Sequence, residues 1–454
     1  MHAARRAVTL AGARTGLRAG DGRRRAGSGE VPARIGIVAG GGRLPLLLAE
    51  RLTARGVGVH IIGLEGEADT AIAAFAHSWV RWGEIGRMLT TLRQEDCREL
   101  VIAGAVRRPD LWKLRPDAGL IRNLPRLARL LVGGDDRVLT RVVRFFEQRG
   151  LSVRGAHEVA PELLATSGRI GEVVLAPTEA DDARRGFAVR RALQGVDAGQ
   201  AVVVAAGRVL AIEGVEGTDA MLQRLAAARG SAKRSGVLAK GPKPGQELRV
   251  DMPAIGPHTI RNARAAGLAG VVVEAGAVLL LDRAQMLRVA DEQGCAVHGL
   301  AAASPARLAP PLARRGRVIG RYRPKHGDRQ DLELGVTAVA ALAGIGVHGA
   351  VIVARAHVLA IEPGDGAAGM LQRVAALRQW GLSGRRRSGV FVCDAEAAAR
   401  GAGIDTLLAD ASAQRLAGVV VVGAGHLIEP YDMAARLADE LEIFLVICEE
   451  TQPP

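Results

Sequence analysis

The stretch Arg249-Val250-Asp251-Met252-Pro253-Ala254-Ile255-Gly256 has the residue types and order for phosphate or cation chemistry. An acid ends a short apolar run, a proline and glycine turn follows, and Pro257 opens a helical pattern over 258–266. Proline suits a first helical position because its missing N–H would have had no partner there. Asp251 is therefore expected at a strand-to-helix turn, close to backbone donors, where a cation or phosphate can be held. An acid that merely caps the helix is the competing reading. Its company weighs against that: Lys240 and Lys243 precede it in Lys-Gly-Pro-Lys-Pro-Gly, and Glu274 follows the apolar run 268–273.

A second candidate is Gly40-Gly41-Gly42, between an expected strand at 35–38 and a helix at 44–53. Glycines at the carboxyl end of a strand let backbone N–H groups approach a phosphate closely. The dinucleotide fingerprint fails, since Pro45 stands where its third glycine belongs, and no Lys-Ser/Thr completes a P-loop. A tight turn without ligand competes with the phosphate reading. After the expected strand 100–103 come Gly104 and Arg107-Arg108, which could grip a pyrophosphate by bidentate contacts or lie in a solvated loop. A helix is expected at 124–131, ending at Gly133-Gly134. Asp135-Asp136 then open the helix 137–149, one acid more than capping needs. His157 is as compatible with loop packing as with catalysis.

The elements that must position these groups are alternating strands and helices, so the fold class is α/β. From Thr178 the pattern restarts, with strands at 201–204, 209–213, 236–240 and 271–273. Glu216, Thr218, Asp219, Lys240, Asp251 and Glu274 fall in loops at element ends, where function concentrates. The segment then recurs. Val209-Leu-Ala-Ile-Glu213 returns as Val358-Leu-Ala-Ile-Glu362, and Met221-Leu-Gln-Arg224 as Met370-Leu-Gln-Arg373, both 149 positions later. Such matches mark a duplicated domain. Its chemistry is not duplicated: Thr218-Asp219 becomes Ala367-Ala368, the Lys-Pro segment vanishes, and Asp405 is a loose counterpart of Asp251. The expected organisation is a disordered basic extension (1–33), a Rossmann-like domain (34–168), a catalytic α/β domain (169–300), a basic linker (301–333) and a degenerate repeat (334–450).

Bulk properties exclude several classes. At 454 residues, 48% hydrophobic but 3% aromatic, the chain builds several cores from Ala, Val and Leu. The net charge of +14 is mostly local, in residues 1–30 and 306–330, without interleaved aromatics or a nucleic-acid motif. Four cysteines show no CxxC spacing, so a reduced cytoplasmic protein without zinc is expected. No apolar run reaches the ~18 residues of a spanning helix.

The motifs converge on a family. Ile35-Gly-Ile-Val-Ala-Gly-Gly-Gly-Arg-Leu-Pro45, Val101-Ile-Ala-Gly-Ala-Val-Arg-Arg-Pro109, Gly133-Gly-Asp-Asp136, Glu216-Gly-Thr-Asp-Ala-Met221, the Asp251 stretch and 268–276 follow one another in order. Together, over 34–300, they resemble the UDP-2,3-diacylglucosamine pyrophosphatases of lipid A synthesis, of the type unrelated to metallophosphoesterases. Ala254 stands where that family usually has Thr, and the third domain is additional. The resemblance implies hydrolysis to UMP and 2,3-diacylglucosamine 1-phosphate with Mg²⁺, Asp251 being the essential acid, as metal ligand or general base. The substrate contacts expected are Gly41, Gly42, Arg43, Leu44, Gly104, Arg107, Thr178, Thr218, Asp219, Lys240 and Glu274. The expected partners are a lipid-linked UDP-sugar and the inner membrane face, met peripherally through basic residues 306–330. No specific nucleic acid is expected, and a homodimer is left open. Two rivals stand beside this reading: a nucleotide-sugar or dinucleotide enzyme using the glycine loop, and a nucleotide-binding regulatory or nucleic-acid-binding protein without hydrolase activity.

Overall fold

The computed structural model describes residues 34–106, 135–196, 198–230, 234–243, 246–301, 314–363, 366–377, 387–400, 403–423 and 431–450. The expectations for 1–33, Arg107-Arg108, the helix at 124–131, Gly133-Gly134 and the side chains of Asp135 and Asp136 lie outside them.

The first unit is a parallel sheet of five strands: β1 (Arg34–Ala39), β2 (Val59–Leu64), β3 (His77–Val80), β4 (Cys97–Ala103) and β5 (Ser152–Arg154), in the order β3-β2-β1-β4-β5. Nearly every residue of β1 and β2 is buried, as near-continuous apolar strands of a parallel sheet require. Helices α1 (Leu44–Ala54), α2 (Ile85–Gln94) and α3 (Asp135–Glu147) accompany them. The strand order reverses at β1, which puts the loops after β1 and β4 at the crevice such sheets offer to ligands.

The second unit supplies β6 (Gly168–Arg169), α4 (Pro177–Ala192), β7 (Ala201–Ala205), β8 (Arg208–Ile212), α5 (Gly217–Arg229) and β9 (Val237–Lys240). It continues with β10 (Ala254–Ile255), α6 (Pro257–Ala265), β11 (Gly270–Glu274), β12 (Leu279–Leu280), α7 (Arg283–Glu292) and β13 (Ala296–Leu300). The third unit follows the same plan: β14 (Arg314–Ile319), α8 (His326–Ala343), β15 (Ala350–Ala354), β16 (His357–Glu362), α9 (Gly366–Gln372), β17 (Val390–Asp394), α10 (Gly403–Ala413), β18 (Gly418–Val422), α11 (Tyr431–Glu440) and β19 (Phe444–Glu450). The two form one 12-stranded sheet, β14-β19-β18-β17-β15-β16-β8-β7-β9-β11-β13-β6, whose halves mirror one another strand for strand. They meet where β8 and β16 pair antiparallel, Ile212 opposite Ile361.

The linker expectation is corrected here. Within 301–333, Arg314–Ile319 form the edge strand β14, paired antiparallel with β19, and α8 begins at His326. By composition, Arg-Arg-Gly-Arg-Val-Ile reads as a charged connector, and its place at the sheet edge is set by the pairing with β19. Apart from the main sheet, β12 pairs with β10 in a small parallel sheet of two strands.

What the duplication preserves is scaffold. The two-residue turns Ala206-Gly207 and Arg355-Ala356 both take positive φ, the conformation a tight hairpin demands. In each copy a buried aspartate from the preceding long helix holds the turn: Asp182 accepts the N–H groups of Ala206 (3.0 Å) and Gly207 (2.7 Å), and Asp331 those of Arg355 (3.0 Å) and Ala356 (2.6 Å). Burial pushes the Asp331 carboxyl above the usual range, against the two amides that lower it. Asp182→Ala and Asp331→Ala are each expected to cost about 1–3 kcal/mol in chemical denaturation. The larger loss is expected for Asp331→Ala, because its turn has no glycine to tolerate the left-handed backbone.

Candidate active site

The Asp251 turn is built into the joint between the first and second units. Val250 packs against the first-unit core that holds Val38, Leu64 and Phe146, and Met252 and Ala254 against the one that holds Ile37, Leu46 and Ile61. Arg249 bridges the joint, its Nη1 lying 2.8 Å from Glu147 Oε1 on α3 and its Nη2 2.8 Å from Glu247 Oε2. Nearby, Arg43 reaches across to Asp282 (3.1 Å) while also pairing with Glu50 (2.9 Å).

Asp251 does not cap the following helix. The cap of α6 is Gly256, whose N–H is received by Thr259 Oγ1 at 3.4 Å. The Asp251 carboxylate is instead oriented by Gln246, whose Nε2 donates to Oδ2 at 2.5 Å. Gln246 is buried, and its Oε1 accepts the Lys243 N–H at 2.8 Å. With one oxygen fixed this way, Oδ1 is the atom through which Asp251 would meet a cation or phosphate-bound water.

Segment 240–243 ties this turn to the carboxyl ends of the main-sheet strands. Lys240 ends β9, is buried, and donates from Nζ to Thr218 Oγ1 at 2.9 Å; Thr218 donates in turn to Glu213 Oε2 at 3.1 Å. Burial pushes the Glu213 carboxyl up, with Lys240 and the Thr218 hydrogen bond opposing. One residue on, Gly241 lies against a second pair, the buried Arg190 and the half-buried Glu274, Nη1 to Oε2 at 3.3 Å, with Arg190 Nη2 also donating to Pro242 O. Burial lowers the Arg190 pKa, and Glu274 opposes that. A Cβ at position 241 would lie 2.7 Å from Arg190 Nη1 and 2.8 Å from Glu274 Oε2, so any larger residue would push this pair of side chains aside. Hydrogen bonds and close packing therefore run without a break from Glu213 to Asp251.

Among the expected substrate contacts, Thr218, Lys240 and Glu274 are brought into this chain. Asp219 stands beside it, exposed, with Asn262 Nδ2 at 2.9 Å and His258 Nδ1 at 3.4 Å. Thr178 lies on the exposed first turn of α4, its hydroxyl on Glu179. The glycine loop differs from the phosphate-cradle expectation. Gly40 N–H donates to Ala103 O (2.9 Å), Gly41 N–H to Ala105 O (2.7 Å), and Ala105 N–H back to Gly41 O (2.9 Å). Two of its donors thus clamp the loop to the one after β4, which contains Gly104, and it is Gly42, at φ +90° with open space before its Cα, that faces outward. Leu44 turns into the core, and Arg107 lies outside the described residues.

Sequence reasoning missed Gln246, Arg190 and the role of Glu213. Gln246 carries no spacing signal, Arg190 is one of several helix arginines, and Glu213 pointed to the duplication because Glu362 repeats it. Among the described residues no group of three His, Cys, Asp or Glu side chains is placed to hold a metal ion. Thr218→Val keeps the shape of the side chain but removes the hydroxyl between a buried ammonium and a carboxylate. It is expected to lower the unfolding free energy by about 1–3 kcal/mol, read from denaturation midpoints, and unchanged stability would show that the bridge carries nothing.

Three matches to known proteins follow the same layout. The family model for the LpxI N-terminal domain matches residues 34–163, and that for the LpxI C-terminal domain matches twice, at 166–298 and 315–446. The UDP-2,3-diacylglucosamine pyrophosphatase LpxI of Caulobacter vibrioides is 44% identical over 272 residues, which are 59% of this chain and 97% of that protein.

Proposed function

The chain belongs to the LpxI family, and from that premise we propose that it hydrolyses UDP-2,3-diacylglucosamine to UMP and 2,3-diacylglucosamine 1-phosphate in lipid A biosynthesis. The observation that supports this best is the Asp251 turn: a carboxylate seated in the joint of two units, held by Gln246, at the end of a buried network of paired charges.

The reaction adds water across a phosphoanhydride, so one phosphorus gains an oxygen while the bridging oxygen departs with the other half. Two adjacent phosphates concentrate negative charge, and the site's work is to hold them and stabilise the departing one. Gln246 fixes the Asp251 carboxylate, and the Lys240–Thr218–Glu213 and Arg190–Glu274 contacts hold segment 240–243, which presents the Lys243 N–H to Gln246. Gly42 and Arg43 extend the site onto the first unit. Mg²⁺ is proposed as the cofactor, because that ion needs one or two carboxylates while phosphates and water complete its shell, and a lone oriented Asp251 fits such a donor set. Bound there, it would neutralise charge on the diphosphate.

UMP release by wild type, Asp251→Ala and Gln246→Ala, with Mg²⁺ and with chelator, tests this. Asp251→Ala is expected to stay folded and lose nearly all turnover. Gln246→Ala is expected to lose about 10–100-fold, because a ligand without its orienting partner is misplaced. Full activity in Asp251→Ala would remove the centre, and chelator-insensitive turnover would remove the metal.

The acyl chains place the substrate at a membrane, yet no helix among the described residues is long and apolar enough to cross one. The reading is therefore of a cytoplasmic protein that meets the inner membrane peripherally, through the exposed Arg317, Arg321, Arg323, Lys325 and Arg329. Flotation with anionic vesicles is expected to weaken when these are replaced by Gln. Point substitution suits the question better than deletion, since β14 is part of the sheet. Binding unchanged by the replacements would end the idea.

A further inference from the structure

Ile212 and Ile361 face each other across an antiparallel pair, and they stand 149 positions apart, the offset of the repeat itself. A residue opposite its own counterpart on an antiparallel partner defines a local two-fold axis, the geometry of an isologous dimer. The palindromic strand order extends that symmetry to the sheet edges, with β6 and β14 each capping their half antiparallel.

Contacts across this axis fall on the loop that runs from Glu213 to the start of α5, where Thr218 stands. Val215 N–H donates to Leu359 O at 3.2 Å, and the Val215 side chain packs on the third unit's core. A Cβ on Gly214 would lie 2.5 Å from Leu359 O and 3.2 Å from Ala360 Cα. Arg224, on α5 behind the loop, pairs with Glu216 (3.2 Å) on its own side and with Glu362 Oε2 (3.1 Å) on the other.

The symmetry is broken where the charges are. Glu362 is the counterpart of Glu213, and Cys393 takes the place of Lys240: each stands opposite the matching alanine, Ala350 or Ala201, of the neighbouring strand. With Ala367 for Thr218 as well, Glu362 is fully buried without its copy's lysine and hydroxyl. Arg373, the counterpart of Arg224, turns to Glu362 on its own side, so both arginines converge on one carboxylate. The third unit has thus exchanged a site for an anchor that holds α5 of the second.

We propose that the third unit is a built-in partner subunit: it fills, within one chain, the surface on which a second copy of the C-terminal domain would dimerise, and it positions the loop from Glu213 to Glu216 and the first turn of α5. The loop's catalytic relevance rests on the function proposed above; the pairing itself does not.

Three full-length variants test it, with hydrogen exchange at the Val215 amide, light scattering and UMP release as readouts. Wild type is expected to be a monomer of about 47.4 kDa over a wide concentration range. Glu362→Gln, and Gly214→Ala, whose Cβ would push Leu359 O away, are expected to speed Val215 exchange about tenfold or more, and to lower kcat/KM about tenfold with Asp251 intact. Arg373→Met leaves the Arg224–Glu362 pair and is expected to exchange like wild type. Unchanged Val215 protection in both Glu362→Gln and Gly214→Ala would overturn the proposal, as would a stable wild-type dimer. Should wild type release no UMP, the function fails while exchange and mass still decide this inference.

Discussion

A charge taken out of water must meet its opposite, and that requirement decides which copy of the duplicated domain keeps a site. Lys240 is buried and sustained by Thr218 and, through it, Glu213; Arg190 is buried and sustained by Glu274. Remove the lysine, as Cys393 does in the third unit, and the matching carboxylate is left uncompensated, a cost of several kcal/mol for an isolated buried charge. The chain answers by sending Arg224 and Arg373 to Glu362. Loss of the Lys240–Thr218 pair and gain of an inter-unit anchor are one rearrangement seen from two sides.

The features that needed no chemistry survived duplication unchanged. Asp182 and Asp331 hold the same hairpin turn by the same pair of backbone amides. Their cause is local and geometric, since two residues at positive φ need fixing whatever the sheet is for. These parts were also legible in the sequence. Runs such as Ala201-Val-Val-Val and Val271-Val-Val announce buried strands, and the nearly constant offset between copies announces a repeated fold. The acid at Asp251 was legible because a proline turn isolates it.

What was not legible depends on contacts distant in the chain. The glycine loop advertises donors, but whether those donors face a ligand or a neighbouring loop is settled by Ala103 and Ala105, more than sixty positions away. Gln246 becomes informative once the chain folds back and its amide meets Asp251. The basic segment reads as a connector until β19 supplies a partner for Arg314–Ile319, after which it is an edge strand with Arg317 exposed. Composition reports what a segment can tolerate, and pairing reports what it does.

The arrangement also explains why the Asp251 turn occurs once in a chain with a duplicated domain. Asp251 sits where it does because β10 and β12 form a small parallel pair facing the first unit, with Leu279 and Ala254 packed into that unit's core. Among the described residues the third unit has no such pair; β17 leads directly into helices, beginning with Asp394 accepting the Ala397 N–H. The first unit covers one face, and the local two-fold carries the third unit's equivalent face away to the far half of the sheet, where no second copy of the first unit exists to complete a joint. A joint that needs two units can therefore form once. With no joint to serve, the third unit was under no constraint to keep a lysine, a threonine or an aspartate turn, whereas its sheet edge stayed constrained by β8, the strand it has to cover.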